Sequence, residues 1–418
     1  MGHISAHSLP SGLRLLIEPI PSVESVGISW LFSAGTATEP DDRAGIASMA
    51  CEMLLRGGGD RDSRTFADDL DRIGATRAVN CSGRTTHIRS SVLGDRLESV
   101  LPMLVDMVRQ PRFDESTLQP AQELALQALE SLNDDPRERA LISASSRHFP
   151  APFNRSIYGD EPGITATSAE DVRRFWSGCA TPKESILAIA GKVDPDSALA
   201  HIEQLLGDWT GSSTQPEIRS DPQRGCDHIE DDSSQVQILM LADAPCERDE
   251  RAALLTKIAV NVLSGGMSGR LFTEVREKRG LCYTVSASYQ GDDRFGVLSA
   301  YVGTAPDRAQ QSLDVLTNEL QRIFSPQGAV TEAEFHRAKI GMKSNVVFHS
   351  ESSAGRAAGL SGDVRRLGRA RSLDEILSNL ESVTLDELNT YLASASLGGI
   401  TLQTLGPAQL TPPESLGL

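Results

Sequence analysis

Apolar positions along this chain repeat at two spacings, and the same succession runs twice. Val26-Gly27-Ile28-Ser29-Trp30-Leu31-Phe32 is an apolar run of strand length, which predicts a buried strand. Over residues 46–55 the apolar positions fall at helical spacing, behind the acidic start Asp41-Asp42. A helix over 41–58 is therefore expected. Residues 78–93 read as strand, turn at Ser82-Gly83, strand. Segments 97–110 and 115–133 read as amphipathic helices, and 186–190 as a short buried strand.

The second half restates this order. An offset of 208 residues carries Asp41-Asp42-Arg43-Ala44 to Asp249-Glu250-Arg251-Ala252, and Gly57-Gly58 to Gly265-Gly266. Apolar helical stretches of equal length lie between, and the strand-like run 236–241 precedes the second of them. Further on, an offset of 217 carries Phe113-Asp114-Glu115 to Val330-Thr331-Glu332, both helix openings with acidic first turns. Self-similarity of this kind implies a duplicated unit. The reading is an α+β chain of two homologous domains, 1–207 and 228–418, joined by a polar, turn-rich connector at 208–227. Strands and helices mix without strict alternation, which suits mostly antiparallel sheets covered by helices.

At 418 residues the chain has room for two hydrophobic cores. Its 39% hydrophobic and 23% charged content fits a globular protein. No apolar run approaches membrane-spanning length, and no basic start with an apolar core follows Met1, so no membrane and a cytoplasmic location are expected. Cys51, Cys81, Cys179, Cys226, Cys246 and Cys282 include no C-x-x-C pair. They are expected to be free, mostly buried thiols in a reducing compartment. A net charge of −17 argues against nucleic acid as a partner, because phosphate binding needs clustered Lys and Arg.

Two stretches carry candidate chemistry. The first is Ala44-Gly45-Ile46-Ala47-Ser48-Met49-Ala50-Cys51-Glu52-Met53-Leu54-Leu55-Arg56-Gly57-Gly58. It resembles the inverted zinc motif H-x-x-E-H of the pitrilysin/insulinase peptidases. In that frame Ser48 and Glu52 stand where the two histidine ligands belong, and Cys51 where the glutamate base belongs. The resemblance puts the third ligand at Ala128, counted back from Asp134-Asp135-Pro136 or 76 residues on from Glu52. Glu123 and Glu130 are out of register. Zinc sites use imidazole, thiolate or carboxylate at about 2.0 to 2.3 Å, with three protein ligands in catalytic centres. An alternative site from Cys51, Glu52 and Glu130 is disfavoured, because adjacent helix positions diverge by about 100°. No metal and no cofactor are expected on this chain. New chemistry built on Cys51 has no histidine at a position that suggests a base. The edge strand of the family reads N-A-[YF]-T, where this chain has Ala78-Val79-Asn80-Cys81, with Arg84 near a usually acidic position. His87 just beyond is read as structural.

The second stretch, from Gly265-Gly266-Met267-Ser268-Gly269-Arg270-Leu271-Phe272 through Arg276 to Tyr283-Thr284-Val285, resembles the family's G-x-x-S-x-R-L-F-x-E-[VL]-R-E-x-x-G-L-x-Y-x-[VI] at many fixed positions. Its glycines follow a helix, not a strand, so a nucleotide cradle is not expected. The resemblance implies that Arg276 holds substrate carbonyls and that the Tyr283 hydroxyl stabilises a tetrahedral oxyanion. It also implies the processing-peptidase-like, half-length branch with two domains per chain. The expected function is a non-catalytic subunit of a heterodimeric zinc metallopeptidase, inactive alone. Arg276 and Tyr283 would bind peptide substrate in trans to a catalytic subunit that carries H-x-x-E-H and the zinc. The alternative is an inert scaffolding homologue in a larger complex, and a homodimer when alone is compatible with either.

Overall fold

The structure is a computed structural model and describes residues 3–417. In the first half, β1 (Ser5–Ser8), β2 (Arg14–Pro19) and β3 (Ser25–Phe32) lead to α1 (Ile46–Leu54) and α2 (Ser63–Arg72). The hairpin of β4 (Thr76–Cys81) and β5 (Thr86–Leu93) precedes α3 (Leu97–Arg109), α4 (Glu115–Ser131) and α5 (Pro136–His148). Then come α6 (Glu161–Ala166), α7 (Ala169–Cys179), β6 (Ile186–Gly191) and α8 (Pro195–Leu206). The second half holds β7 (Gly225–Glu230), β8 (Val236–Ala244), α9 (Glu250–Ser264), β9 (Cys282–Gly291), β10 (Gly296–Thr304) and α10 (Ala309–Arg322). It ends with α11 (Glu332–Ser350), α12 (Ser353–Leu367), α13 (Leu373–Ser382), α14 (Leu385–Ser394) and β11 (Gly398–Gly406).

The duplication is written in the strand orders. One sheet runs β1-β2-β6-β3-β5-β4 and the other β7-β11-β8-β10-β9. Without β1, the two orders superpose strand for strand. Each has one parallel pair, β2 with β6 and β7 with β11, and is otherwise antiparallel. The fold is thus α+β, with two homologous, mostly antiparallel sheets covered by helices.

Two compact units form, and each borrows one helix from the other half of the chain. The first comprises the chain up to Ser131, Ala151–Ser220 and His349–Ala370. The second comprises Leu132–Pro150, Asp221–Phe348 and the chain from Arg371 on. The sequence boundaries at 207 and 228 follow chain order and do not register this exchange. The offset of 217 carries the start of α5 to the start of α12, and the two helices occupy equivalent places. α12 packs on β3 and β6, and α5 on β8 and β11. In the first unit Ala357, Leu360 and Val364 of α12 meet Leu16, Leu31, Ile186 and Ala188. The approach is close at Gly27, where a Cβ would come within 2.5 Å of the Ala354 backbone. Polar bonds fix the register: Ser25 to Ser353 at 2.9 Å, Ser29 to Ser361 at 2.6 Å, and an ion pair between Glu18 and Arg356, which are 2% and 4% exposed. In the second unit Ser143 donates to Gln403 at 2.8 Å, and His148 Nδ1 lies 3.0 Å from the Thr401 hydroxyl. Asp134-Asp135-Pro136 has a local reason here: the Asp135 side chain caps Glu138 N–H at 2.9 Å, with proline at the first helical turn.

Three expectations change. The helix over 41–58 is shorter, because Gly45 at φ 100° is left-handed and α1 starts only at Ile46. Ahead of it, Arg43 is drawn to Asp171 at 3.4 Å and Asp41 to Arg219 at 2.8 Å. The connector ends early, since β7 begins at Gly225, and Trp209 at its start is buried edge-on against Trp30 at 5.8 Å. Of the six cysteines only Cys51 is buried, and the rest are half-buried.

Candidate functional site

In the first unit, α1, the edge strand β4 and α4 enclose a cavity of about 270 Å³. Ile46, Met49, Ala50, Met53 and Leu54 turn one face of α1 into the core. Ser48, Cys51 and Glu52 line the cavity, and Ser48 and Glu52, four apart, share a side of the helix. Val79, Asn80 and Cys81 contribute from β4, and Ala121, Leu124, Ala125 and Ala128 from α4, with Ile157 and Tyr158 at the rim. Four positions singled out in the sequence, Ser48, Cys51, Glu52 and Ala128, therefore come together around one space. Glu123 and Glu130 are exposed and do not line it. Glu52 is ion-paired with Arg56 at 2.6 Å.

Sulfur and carboxyl chemistry adjoin this wall. The Cys51 thiol lies 3.8 Å from the hydroxyl of Thr86, which is the cross-strand partner of Cys81. The neighbouring Cys81 thiol pushes Cys51 well above the ordinary thiol range, with burial adding to it, and Cys51 in turn holds Cys81 below. Glu39, 3% exposed, accepts the N–H of Gly45 at 3.2 Å and of Ala47 at 3.0 Å through Oε1. It thereby caps α1 from outside the helix, where anionic groups suit the dipole. Its Oε2 meets no partner, and burial raises its carboxyl to about 7 against the backbone bonds from Ala47 and Gly45. His87, hydrogen-bonded to Ser29 at 2.7 Å, is pushed down to about 4 by burial, with Arg89 adding to it.

In the second unit, Arg276 and Tyr283 meet. Residues Phe272–Glu277 form a π-helical turn, in which Lys278 N–H reaches back five residues to Thr273 C=O at 2.9 Å. Such turns are rare and displace side chains from α-helical register. Leu271 and Val275 anchor the turn in the core. Arg270 ties it down through a two-pronged pair with Glu334 at 2.7 and 2.9 Å. Gly280 at φ 58° then lets the chain swing into β9. At the start of β9, Thr304 pairs with Cys282 and Gly303 with Thr284, so Tyr283 is the extra residue of a bulge. Bulges re-aim side chains, and Tyr283 stands 78% exposed. The Arg276 guanidinium lies 5.2 Å from the Tyr283 ring centroid and 4.9 Å from that of Phe272, a cation–π stack that holds the fork beside the phenol.

Sequence reasoning missed Glu39 and the proximity of Cys51 to Cys81. An acidic residue shortly before a helix is a signal for a cap, but here the turns of residues 40–45 separate Glu39 from the start of α1 at Ile46. The sulfur proximity depends on the register of β4, which places Cys81 opposite Thr86.

Residues 14–160 match the family described as Insulinase (Peptidase family M16), and residues 166–342 the one described as Peptidase M16 inactive domain. Relatives include an uncharacterized zinc protease of Mycobacterium bovis, 25% identical over 97% of this chain and 94% of its own length. Another is an uncharacterized zinc protease of Bacillus subtilis, 25% identical over 98% of this chain and all of its own. In fold, the chain is similar to a peptidase M16 inactive domain from Pseudomonas fluorescens, with TM-score 0.87 at 19% identity over 98% and 99% of the two chains. A protease from Helicobacter pylori gives the same score at 16% identity over 97% and 100%. Among the described residues, no helix is long and apolar enough to cross a membrane. Two copies of one α+β unit, matched by two adjoining models of one family, make this chain a member of the insulinase (M16) peptidase family.

Proposed function

We propose that this chain is the non-catalytic member of a two-subunit zinc peptidase and supplies Arg276 and Tyr283 to a partner's active site. The observation that carries the reading is the donor set around the cavity of α1, β4 and α4. Ser48 offers a hydroxyl, a weak zinc donor. The Cys51 thiol is buried against the Thr86 hydroxyl, Glu52 is held by Arg56, and Ala128 offers no donor at all. Zinc needs about three good ligands from imidazole, thiolate or carboxylate. Among the described residues, no group of three or more His, Cys, Asp or Glu side chains is placed to hold a metal. These residues do not fit zinc, so no step of peptide hydrolysis is assigned to them.

Arg276 and Tyr283 have the chemistry that such a division of labour calls for. A guanidinium is a rigid fork of donors suited to backbone carbonyls. A phenol beside it can donate to an oxyanion as charge develops. Metal binding and water activation then belong to the partner, a chain with an intact H-x-x-E-H.

Mixing this chain with such a partner tests the reading. Peptidase activity is expected only from the mixture, and Tyr283→Phe is expected to lower kcat by about a hundredfold, the usual effect of losing one oxyanion donor. An Arg276→Ala or Tyr283→Phe variant that supports full activity would overturn it and favour an inert scaffolding role.

A further inference from the structure

The same cavity brings together two sulfurs from separate elements. Cys51 projects from α1 and Cys81 from the last position of the edge strand β4, and both line the space. Both face one cavity, and the strand register sets them close to each other. Cys51 Sγ also lies 3.8 Å from the hydroxyl of Thr86, which is the cross-strand partner of Cys81. That hydroxyl is itself held, donating to the Ala34 carbonyl at 2.5 Å. A cavity of about 270 Å³ has room for several molecules the size of water, at roughly 30 Å³ each. A small oxidant can therefore reach the pair without moving the fold.

We propose that Cys51 and Cys81 form an oxidisable dithiol, which small hydroperoxides entering the cavity convert to a disulfide between α1 and β4. Cys81 is the site of attack, being half-buried where Cys51 is only 6% exposed. Its thiolate displaces on the O–O bond, forming Cys81–SOH and releasing the alkoxide or hydroxide, which takes up the proton lost by the thiol. The Cys51 sulfur then attacks the sulfenic sulfur. The S–S bond forms, the S–O bond breaks, and the oxygen leaves as water with the Cys51 proton. Two thiols lose two electrons in all, and the peroxide O–O bond gains them. A second thiol lining the same cavity intercepts the sulfenic acid before it climbs to the irreversible sulfinic state. An external dithiol reverses the bond by exchange. Closing it ties the core helix α1 to the sheet's edge strand and changes the wall of the cavity. The inference stands on sulfur geometry and does not depend on a peptidase partner.

Peptide mapping of the full chain tests it. The protein is treated with hydrogen peroxide, alkylated, digested without reduction and examined by mass spectrometry. The expected product is a linked peptide pair carrying Cys51 and Cys81, lost on treatment with dithiothreitol. Cys81 is expected to lose its thiol on the order of tenfold faster than Cys179, Cys226, Cys246 and Cys282. In Cys51→Ala, Cys81 is expected to stop at a sulfenic acid that dimedone captures, while the wild-type chain gives little adduct. Should that variant fail to fold, the wild-type map decides alone. Peroxide that converts Cys81 to sulfinic acid without the linked pair would overturn the proposal. So would oxidation spread evenly over the other four cysteines.

Discussion

Glutamine at position 39 keeps an acceptor for the N–H groups of Gly45 and Ala47 and removes the carboxyl that burial raises to about 7. The effect on stability has a definite sign. Between the ordinary carboxyl value of 4.5 and about 7, the folded protein holds a proton on Glu39 that the unfolded chain has released. Stability falls with rising pH wherever the native state binds more protons. Each pH unit in that window removes about 1.4 kcal/mol, so roughly 3 kcal/mol is lost across it. Below pH 4.5 both states are protonated and the contribution is fully present; above about 7 the loss is complete. Half-buried His87 and buried His148, both pushed down to about 4, have the opposite slope between 4 and 6.5. They are common to both proteins, so the difference between wild type and Glu39→Gln isolates residue 39. Urea unfolding at a series of pH values between 4 and 8 measures it. Wild type is expected to lose roughly 3 kcal/mol relative to Glu39→Gln as pH rises through the window. A difference that stays flat, or grows in favour of wild type, would refute the argument that burial outweighs the charge of nearby Arg155 at Glu39.

Two further outcomes follow from packing and donor chemistry. Arg356→Met leaves Glu18 buried and unpaired, so it is expected to cost about 3–5 kcal/mol by urea unfolding, with much of the loss recovered in the double variant Glu18→Leu/Arg356→Met; equal losses in single and double variants would refute the pairing. Restoring donors by Ser48→His, Cys51→Glu, Glu52→His and Ala128→Glu together is expected to give a chain that binds about one zinc per molecule by elemental analysis. A metal-free quadruple variant that folds would mean that these four positions do not converge as a ligand set.

The strands were legible because their apolar runs are short and bounded: residues 26–32 and 236–241 fall inside β3 and β8, and the turn at Ser82-Gly83 lies between β4 and β5. Repetition at offsets of 208 and 217 carried the duplication, which the strand orders bear out. The placement of α5 and α12 was not legible, since an amphipathic pattern says that a helix buries a face and not against which sheet. The convergence of Ser48, Cys51, Glu52 and Ala128 on one cavity was readable only through a known motif's spacing. The π-helical turn and the bulge that bring Arg276 onto Tyr283 leave no local signature, because each depends on hydrogen bonds to distant strands and carboxylates.

The reciprocal placement of α5 and α12 also bears on how the chain is made. The sheet that the ribosome releases first has its α12-facing surface, around Leu16, Leu31 and Ala188, completed only by residues 349–370. Until that late segment emerges, the early unit holds an uncovered apolar face together with the lone Glu18 carboxylate. Contacts this far apart in sequence slow folding and prolong the exposure of such surfaces. A polypeptide cut at the connector is therefore expected to give two fragments that are each insoluble alone, and that regain structure when refolded in the same vessel.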